Sequence, residues 1–365
     1  MPGVYISFPF CRRKCTYCNF ASGVYPVRIQ EKYVLAVCAE IGSHQWRWTP
    51  ETLYIGGGTP GDAHIDVLKR ILAAVPGSPW QEATIEASPG TFTPEKVRAW
   101  VGMGINRVSL GVQSFVEGEV AKTGRRYSPE TVSKEVALLR NNGIFNFNID
   151  LIAGLPGQTR ASWLSSLKWV ERLEAPHVSV YMLEIDEDSR LGREIISGGP
   201  RYGAQDAPPD DLVAEFYEMA VDFLERLGIR RYEISNFARP GFESRHNLKY
   251  WRLEPYAGFG ADAHSFDGRL RWQNVESPEE YIERFDRGES PQLCTEPSNP
   301  DEERFFMGLR MTEGIQPSSQ EWSRFHNWIK QLFNDGLLEK NGTRLCLTRR
   351  GVLLSNEVFE KFIGV

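Results

Sequence analysis

No stretch of the chain reaches the roughly 20 consecutive apolar residues that span a bilayer, and no basic segment followed by an apolar one opens it in the manner of an export signal. A cytoplasmic protein is therefore expected, with peripheral membrane contact through an amphipathic patch left open. Basic residues are not in surplus: the formal net charge is −6, which argues against a nucleic acid held by bulk electrostatics. No internal repeat or low-complexity tract occurs. Cysteine is scarce, at six in 365 residues, and its uneven spacing fits a reducing compartment where thiols remain available for metal. What is present describes an ordinary folded protein, since 41% hydrophobic and 25% charged residues exclude a disordered chain. The length is enough for two or three domains.

Half of the cysteines gather in one place. Cys11-Arg-Arg-Lys-Cys15-Thr-Tyr-Cys18 follows the apolar run Val4–Phe10, so three thiols leave a probable strand on one short loop. Thiolates so spaced can converge on a single soft metal centre. A tetrahedral zinc site normally takes four ligands, and neither a second Cys-x2-Cys knuckle nor a nearby histidine completes one here. Three thiolates on a cube of iron and sulfide would leave one iron open to another chelator. A zinc knuckle or a redox switch is the alternative reading. Arg12, Arg13 and Lys14 are expected at the mouth of the site or in solvent, and the isolated Cys38, Cys294 and Cys346 as small core residues.

Strand-like and helix-like segments then alternate. Val4–Ser7, Thr52–Ile55, Ala83–Ala87, Asn106–Val112, Phe145–Ile152 and His177–Leu183 read as strands. Ile29–Ile41, Asp62–Ala74, Pro94–Val101, Pro129–Asn141 and Ala161–Leu173 read as helices. This alternation predicts an α/β fold with a parallel sheet, best matched by a partial TIM-like (β/α)6 barrel over residues 1–200 whose site lies at the C-terminal strand ends. A doubly wound sheet is the rival, because spacing alone does not separate the two. Gly198–Pro209 is a Gly/Pro-rich break followed by a helix near Asp211–Leu227. Residues 201–290 then predict a β-rich region capping the open side of the barrel. Residues 291–365 predict a small, mostly helical, winged-helix-like domain with a hairpin over Leu337–Leu347 turning at Asn341-Gly342.

Several polar groups fall at predicted strand ends. Gly56-Gly57-Gly58-Thr59-Pro60 allows main chain to approach a ligand closely, and with no Gly-Lys-Ser/Thr after it this is not a phosphate loop. Glu86, Gln113 and Asp150 lie on or beside apolar runs, where a carboxylate requires a donor: a ribose hydroxyl, an ammonium group or an arginine. Glu86 and Asp150 could instead cap turns or pair with Arg107 or Arg125. His246-Asn247-Leu248-Lys249-Tyr250-Trp251 combines an imidazole able to ligate haem iron with flat rings able to cover a porphyrin, or it satisfies core hydrogen bonds on a short strand. His264 is a second candidate for the pocket, or a brace for a Gly-rich turn, whereas His177 and His326 are expected to be structural.

The Cys-x3-Cys-x2-Cys motif with the glycine run one βα unit later resembles the radical S-adenosylmethionine (SAM) superfamily. With Arg107-x-Ser-x-Gly-Val-Gln113-Ser114, Gly124-Arg125, Asp150-Leu-Ile-x-Gly-Leu-Pro-Gly-Gln-Thr159 and Tyr232-Glu-Ile-Ser-Asn-Phe-Ala238, the chain looks like the oxygen-independent coproporphyrinogen III oxidase family over nearly its whole length. The resemblance implies a [4Fe–4S] cluster on Cys11, Cys15 and Cys18. It further implies SAM against Tyr5, Tyr17, Gly57, Gly58, Thr59, Glu86, Gln113, Arg125 and Asp150. Two departures point to the HemW branch: Phe20 stands where the oxidases have a fourth cysteine, and only ten residues precede Cys11. The His246–Trp251 run is similar to the H-N-x-x-Y-W motif of that branch, implying haem contacts from His246, Asn247, Tyr250 and Trp251. Ser7 and Tyr127 depart from the histidines that many relatives carry. The function expected is a haem chaperone that binds cluster, SAM and haem and passes haem to an unidentified acceptor protein. An oxidase acting on coproporphyrinogen III and a radical SAM methyltransferase are the alternatives. The oligomeric state stays open, with the C-terminal domain a plausible partner surface.

Overall fold

The protein is described over residues 2–364 by a computed structural model. Six strands and the helices between them form its first half: β1 (Gly3–Phe8), α1 (Val27–Ser43), β2 (Thr52–Gly57), α2 (Ile65–Ala74), β3 (Glu82–Ala87), α3 (Pro94–Gly102) and β4 (Arg107–Gln113). There follow α4 (Glu117–Lys122), α5 (Pro129–Asn141), β5 (Asn146–Ala153), α6 (Arg160–Arg172) and β6 (His177–Met182). These strands are parallel and adjacent in sequence order. A doubly wound sheet reverses direction at a switch point, and this order does not, so the open-barrel reading holds.

Strand period two explains how a cavity arises inside it. Val4, Ile6, Leu53, Ile55, Val108, Leu110, Phe147, Ile149, Val178 and Val180 are all fully buried, and they share one core with Tyr33, Val37, Leu68, Trp100, Leu139 and Leu167 of the helices. The residues between them are polar and form the other face. The register sets Glu86 beside Ser109, Ser109 beside Asn148 and Asn148 beside His177. A TIM barrel usually fills its interior with branched apolar side chains; here the interior is polar and leaves room for a ligand.

Beyond the barrel lie α7 (Arg190–Ser197), α8 (Asp210–Arg226), β7 (Arg230–Arg231), β8 (Asn236–Ala238), α9 (Arg245–Trp251), β9 (Tyr256–Phe259), β10 (His264–Phe266), β11 (Leu270–Asn274), α10 (Pro278–Asp286) and β12 (Gln292–Pro297). Their strands extend the sheet at both edges, β8 and β7 beyond β6 and β9 to β12 beyond β1, so that twelve strands form one sheet among the described residues. The expected capping region thus contributes to both edges, and its last strand reaches Pro297. The C-terminal part comprises α11 (Pro300–Gly308), α12 (Ser319–Arg324), α13 (His326–Asn334), the hairpin β13 (Leu338–Asn341) and β14 (Arg344–Leu347), and two short helices. Met311 bridges to Glu233, and the Thr312 amide donates to the Tyr232 carbonyl, fastening this part to the barrel.

Three local expectations are corrected and one helix is added. His246–Trp251 is helical, because Ser244 caps the turn and buried Glu82 accepts the amides of Arg245 and His246; these tertiary partners override the β preference of the aromatic residues. The helix expected from Asp62 begins at Ile65, after a 3-10 turn over Pro60–Asp62. A helix at Arg190–Ser197, capped by Ser189 and ended by Gly198 in the left-handed region, lies just before the Gly/Pro-rich break. Cys294 is exposed, because its strand is the outer edge of the sheet and nothing covers it there.

Candidate functional site

The C-terminal ends of the barrel strands open into a cavity of about 730 Å³. Cys11, Cys15 and Cys18 line it, and all three are free thiols. Their loop is closed at the neck by Cys11 N donating to Gly23 O at 2.8 Å and Gly23 N to Pro9 O at 2.9 Å. Its middle is held by Thr16, whose amide donates to Thr123 O and whose hydroxyl donates to Lys122 O. The thiols are individually supported: Arg125 Nε lies 3.0 Å from Cys15 Sγ, Thr59 Oγ1 3.7 Å from Cys11 Sγ, and Ser22 Oγ 3.8 Å from Cys18 Sγ. Burial pushes the Cys11 thiol up. Among the described residues no three His, Cys, Asp or Glu side chains are grouped to hold a single metal ion. Three free thiols around one pocket, with a guanidinium against one of them, fit a polynuclear iron–sulfur cluster of negative charge.

The glycine run is shaped by what surrounds it. Gly57 has φ +98°, and its amide donates to Glu86 Oε2 at 3.2 Å. A Cβ on Gly58 would stand 2.6 Å from Phe8 O, so only glycine lets this turn pass the exit of β1. Gln113 ends β4 with φ +66°, a conformation that costs a non-glycine residue free energy and is retained where a site requires it. Two carboxylates share this interior. Glu86 accepts from Tyr54 Oη at 2.8 Å, and burial, with Asp150 nearby, raises its pKa to about 7. Asp150 accepts from Ser109 and Asn148, and burial raises it also. Neither is bonded to Arg107 or Arg125; Glu86 caps the glycine turn through the Gly57 amide, and the acceptor capacity left on both carboxylates suits a ligand that brings hydroxyl or cationic groups. Arg125 donates instead to Gly111 O and Cys15; burial opposes its charge, and Tyr17 and Cys15 beside it hold that charge in place.

Of the residues singled out in the sequence, Cys11, Cys15, Tyr17, Cys18, Gly57, Gly58, Thr59, Glu86, Gln113, Arg125 and Asp150 line this one cavity. Tyr5 stands next to it, stacked on Tyr54. Arg12, Arg13 and Lys14 are at its mouth, Arg12 paired with Asp62 at 3.5 Å. Tyr127, in the position noted as unusual, also lines it and donates to Val112 O. His264 does not, being exposed on β10. Sequence reading missed Ser109, Tyr181, Ser235 and Arg310 as lining residues. Strand alternation from Glu86 and Asp150 could have found Ser109 and Tyr181, but nothing local marks Arg310.

The His246–Trp251 motif lies elsewhere. Thr52 and Glu82, the first residues of β2 and β3, receive α9 at the end of the barrel opposite the cysteine loop. His246 is 1% exposed; its Nδ1 lies 2.9 Å from Thr52 Oγ1 and its Nε2 2.8 Å from Tyr250 Oη. Burial lowers its pKa to about 3, so the ring is neutral with both nitrogens engaged. Tyr250 packs edge-on against Tyr256, and Asn247 is half-buried on the same helix. Trp251 lies under the Arg310 guanidinium, 4.3 Å from ring centroid to Cζ.

A partial barrel with three free thiols at its C-terminal mouth defines the class: this is a radical SAM fold. Residues 5–170 match the Radical SAM superfamily and residues 301–354 the HemN C-terminal domain. The structure is similar to coproporphyrinogen III oxidase (HemN) from Escherichia coli, with a TM-score of 0.83 and 22% identity, over 100% of this chain and 90% of that one. In sequence it is 34% identical to the heme chaperone HemW of Bacillus subtilis over 100% of both chains, and 34% identical to that of Synechocystis over 97% of this chain and 94% of the other. The chain belongs to the HemW family.

Proposed function

We propose that the protein is a cytoplasmic haem chaperone that binds a [4Fe–4S] cluster, SAM and haem and delivers haem to an acceptor protein. The observation that carries this reading is the full-length similarity to relatives named heme chaperones. Cys11, Cys15 and Cys18 would hold the cluster, which when bound supplies a single electron to the sulfonium of SAM. The residues of the chain position and desolvate. Glu86 and Asp150 accept hydrogen bonds from the ligand, the main chain at Gly57 and Gly58 approaches it closely, and Arg125 offsets thiolate charge at Cys15. The motif helix borders the haem site on its Tyr250–Trp251 side, and His246 positions that helix through Thr52 rather than ligating iron.

An anaerobic haem titration of the cluster-reconstituted protein, followed at the Soret band and paired with an assay for carbon dioxide from coproporphyrinogen III, tests the reading. Saturable haem binding without decarboxylation is expected. Decarboxylation would assign the chain to the oxidases instead.

A further inference from the structure

The junction of barrel, motif helix and C-terminal part holds unpaired polar atoms that the cluster and SAM do not explain. Arg310 follows α11 and lines the cavity together with Ser235 and Tyr181. Its guanidinium rests on Trp251 and stands 3.7 Å from Oε2 of Glu233, a fully buried carboxylate whose other oxygen already accepts from Ser235 N and Asn236 Nδ2. At that separation the pair attracts without a hydrogen bond. Arg310 Nε and Trp251 Nε1 are buried donors with no hydrogen-bond partner among the described residues. A buried donor left unmet costs free energy. Glu233 Oε2 is likewise without a hydrogen bond, and of these three residues only Arg310 lines the cavity, so an acceptor arriving from there would meet its guanidinium.

The chemistry of that acceptor follows from the pair. A guanidinium held over an indole presents a planar fork, which suits a carboxylate, and the indole adds an apolar face beside it. A porphyrin rim offers both features, a flat apolar ring and acidic side chains. Arg125, a second half-buried guanidinium lining the cavity, is already committed to Cys15 and Gly111. We propose that Arg310, braced by Trp251, binds a propionate carboxylate of haem at this side of the cavity. The assignment rests on the haem reading given above. It makes Arg310 a specificity residue for free-acid tetrapyrroles and ties the motif helix to the cavity through Trp251.

Full-length, cluster-reconstituted protein is titrated anaerobically with haem and with haem dimethyl ester, using the unsubstituted chain, Arg310→Gln and Arg310→Lys, with SAM affinity measured in parallel. The ester is expected to bind the unsubstituted chain on the order of 10-fold more weakly than haem. Arg310→Gln should bind both at the weaker level, Arg310→Lys should recover part of the difference, and SAM affinity should stay constant. Equal binding of haem and ester by the unsubstituted chain overturns the assignment, as does an equal loss of both in Arg310→Gln. A fall in SAM affinity with haem affinity unchanged overturns it in favour of the SAM carboxylate. If the unsubstituted chain binds haem in no saturable way, the haem reading itself fails and the assignment with it. Should Arg310→Gln not fold, Arg310→Lys carries the test: a haem-to-ester ratio equal to that of the unsubstituted chain overturns the assignment, and a smaller ratio supports it.

Discussion

The two ends of the barrel hold equally polar residues in opposite states. At the C-terminal mouth, thiols are free, two carboxylates are desolvated without a cationic partner, and Gln113 sits in a left-handed conformation. At the N-terminal end, Glu82, Thr52, His246 and Tyr250 bond one another and the start of α9. A polar group that lacks its partner points to a ligand, whereas one whose partners are supplied by the chain points to the fold. The mouth carboxylates accept only from neutral groups of the chain, the setting proposed above for a ligand, whereas at the N-terminal end the motif helix is fastened.

Substitution should separate the two ends. The largest effect is expected from Cys11→Ser, Cys15→Ser or Cys18→Ser: iron content and cluster absorbance after reconstitution should be lost, while the melting temperature of the metal-free protein stays close to that of the unsubstituted chain. Next comes His246→Ala, which removes a buried ring and leaves Thr52 and Tyr250 unpaired. A destabilisation of about 2–4 kcal/mol in denaturant titration is expected, with iron loading unchanged. The same residue gives a pH signature. Its folded pKa is about 3 against an ordinary value of 6.5, so the unfolded chain takes up a proton that the folded one refuses. Its neutral form supports the fold fully above pH 6.5, and stability falls as pH drops towards 3, by about 2 kcal/mol at pH 5. A His246→Gln variant should lack that part of the slope.

Glu86→Gln probes the mouth more gently. SAM affinity should fall on the order of 10-fold by equilibrium dialysis. The ligand-free protein should gain more stability at pH 8 than at pH 5 relative to the unsubstituted chain, because a carboxyl whose folded pKa is raised from 4.5 to about 7 opposes folding increasingly as pH rises from 4.5 and fully above 7. The smallest change is expected for Arg12→Ala. Its pair with Asp62 is solvent-exposed on the arginine side, and its loss should shift stability by less than about 1 kcal/mol without altering iron loading.

Much of the mouth was legible because each part is local. The cysteine spacing, the glycine turn, and Glu86, Gln113 and Asp150 at strand ends are carried by a few neighbouring residues and a period of two. The motif helix was not, since Arg245–Trp251 owes its conformation to Glu82, more than 160 residues earlier. Arg310 was the least accessible: its setting requires Glu233, Ser235 and Trp251, which only the docking of the C-terminal part brings together.

The contrast between the two ends is tested most directly by titrating haem anaerobically into the cluster-reconstituted unsubstituted chain and into His246→Gln, with melting temperatures recorded alongside. The account predicts the same stoichiometry, the same Soret position and affinities within about threefold, with a lower melting temperature in the variant. Loss of haem binding or a shifted Soret band in a His246→Gln protein that melts like the unsubstituted chain would contradict it, and would make His246 an iron ligand rather than the residue that fastens the helix.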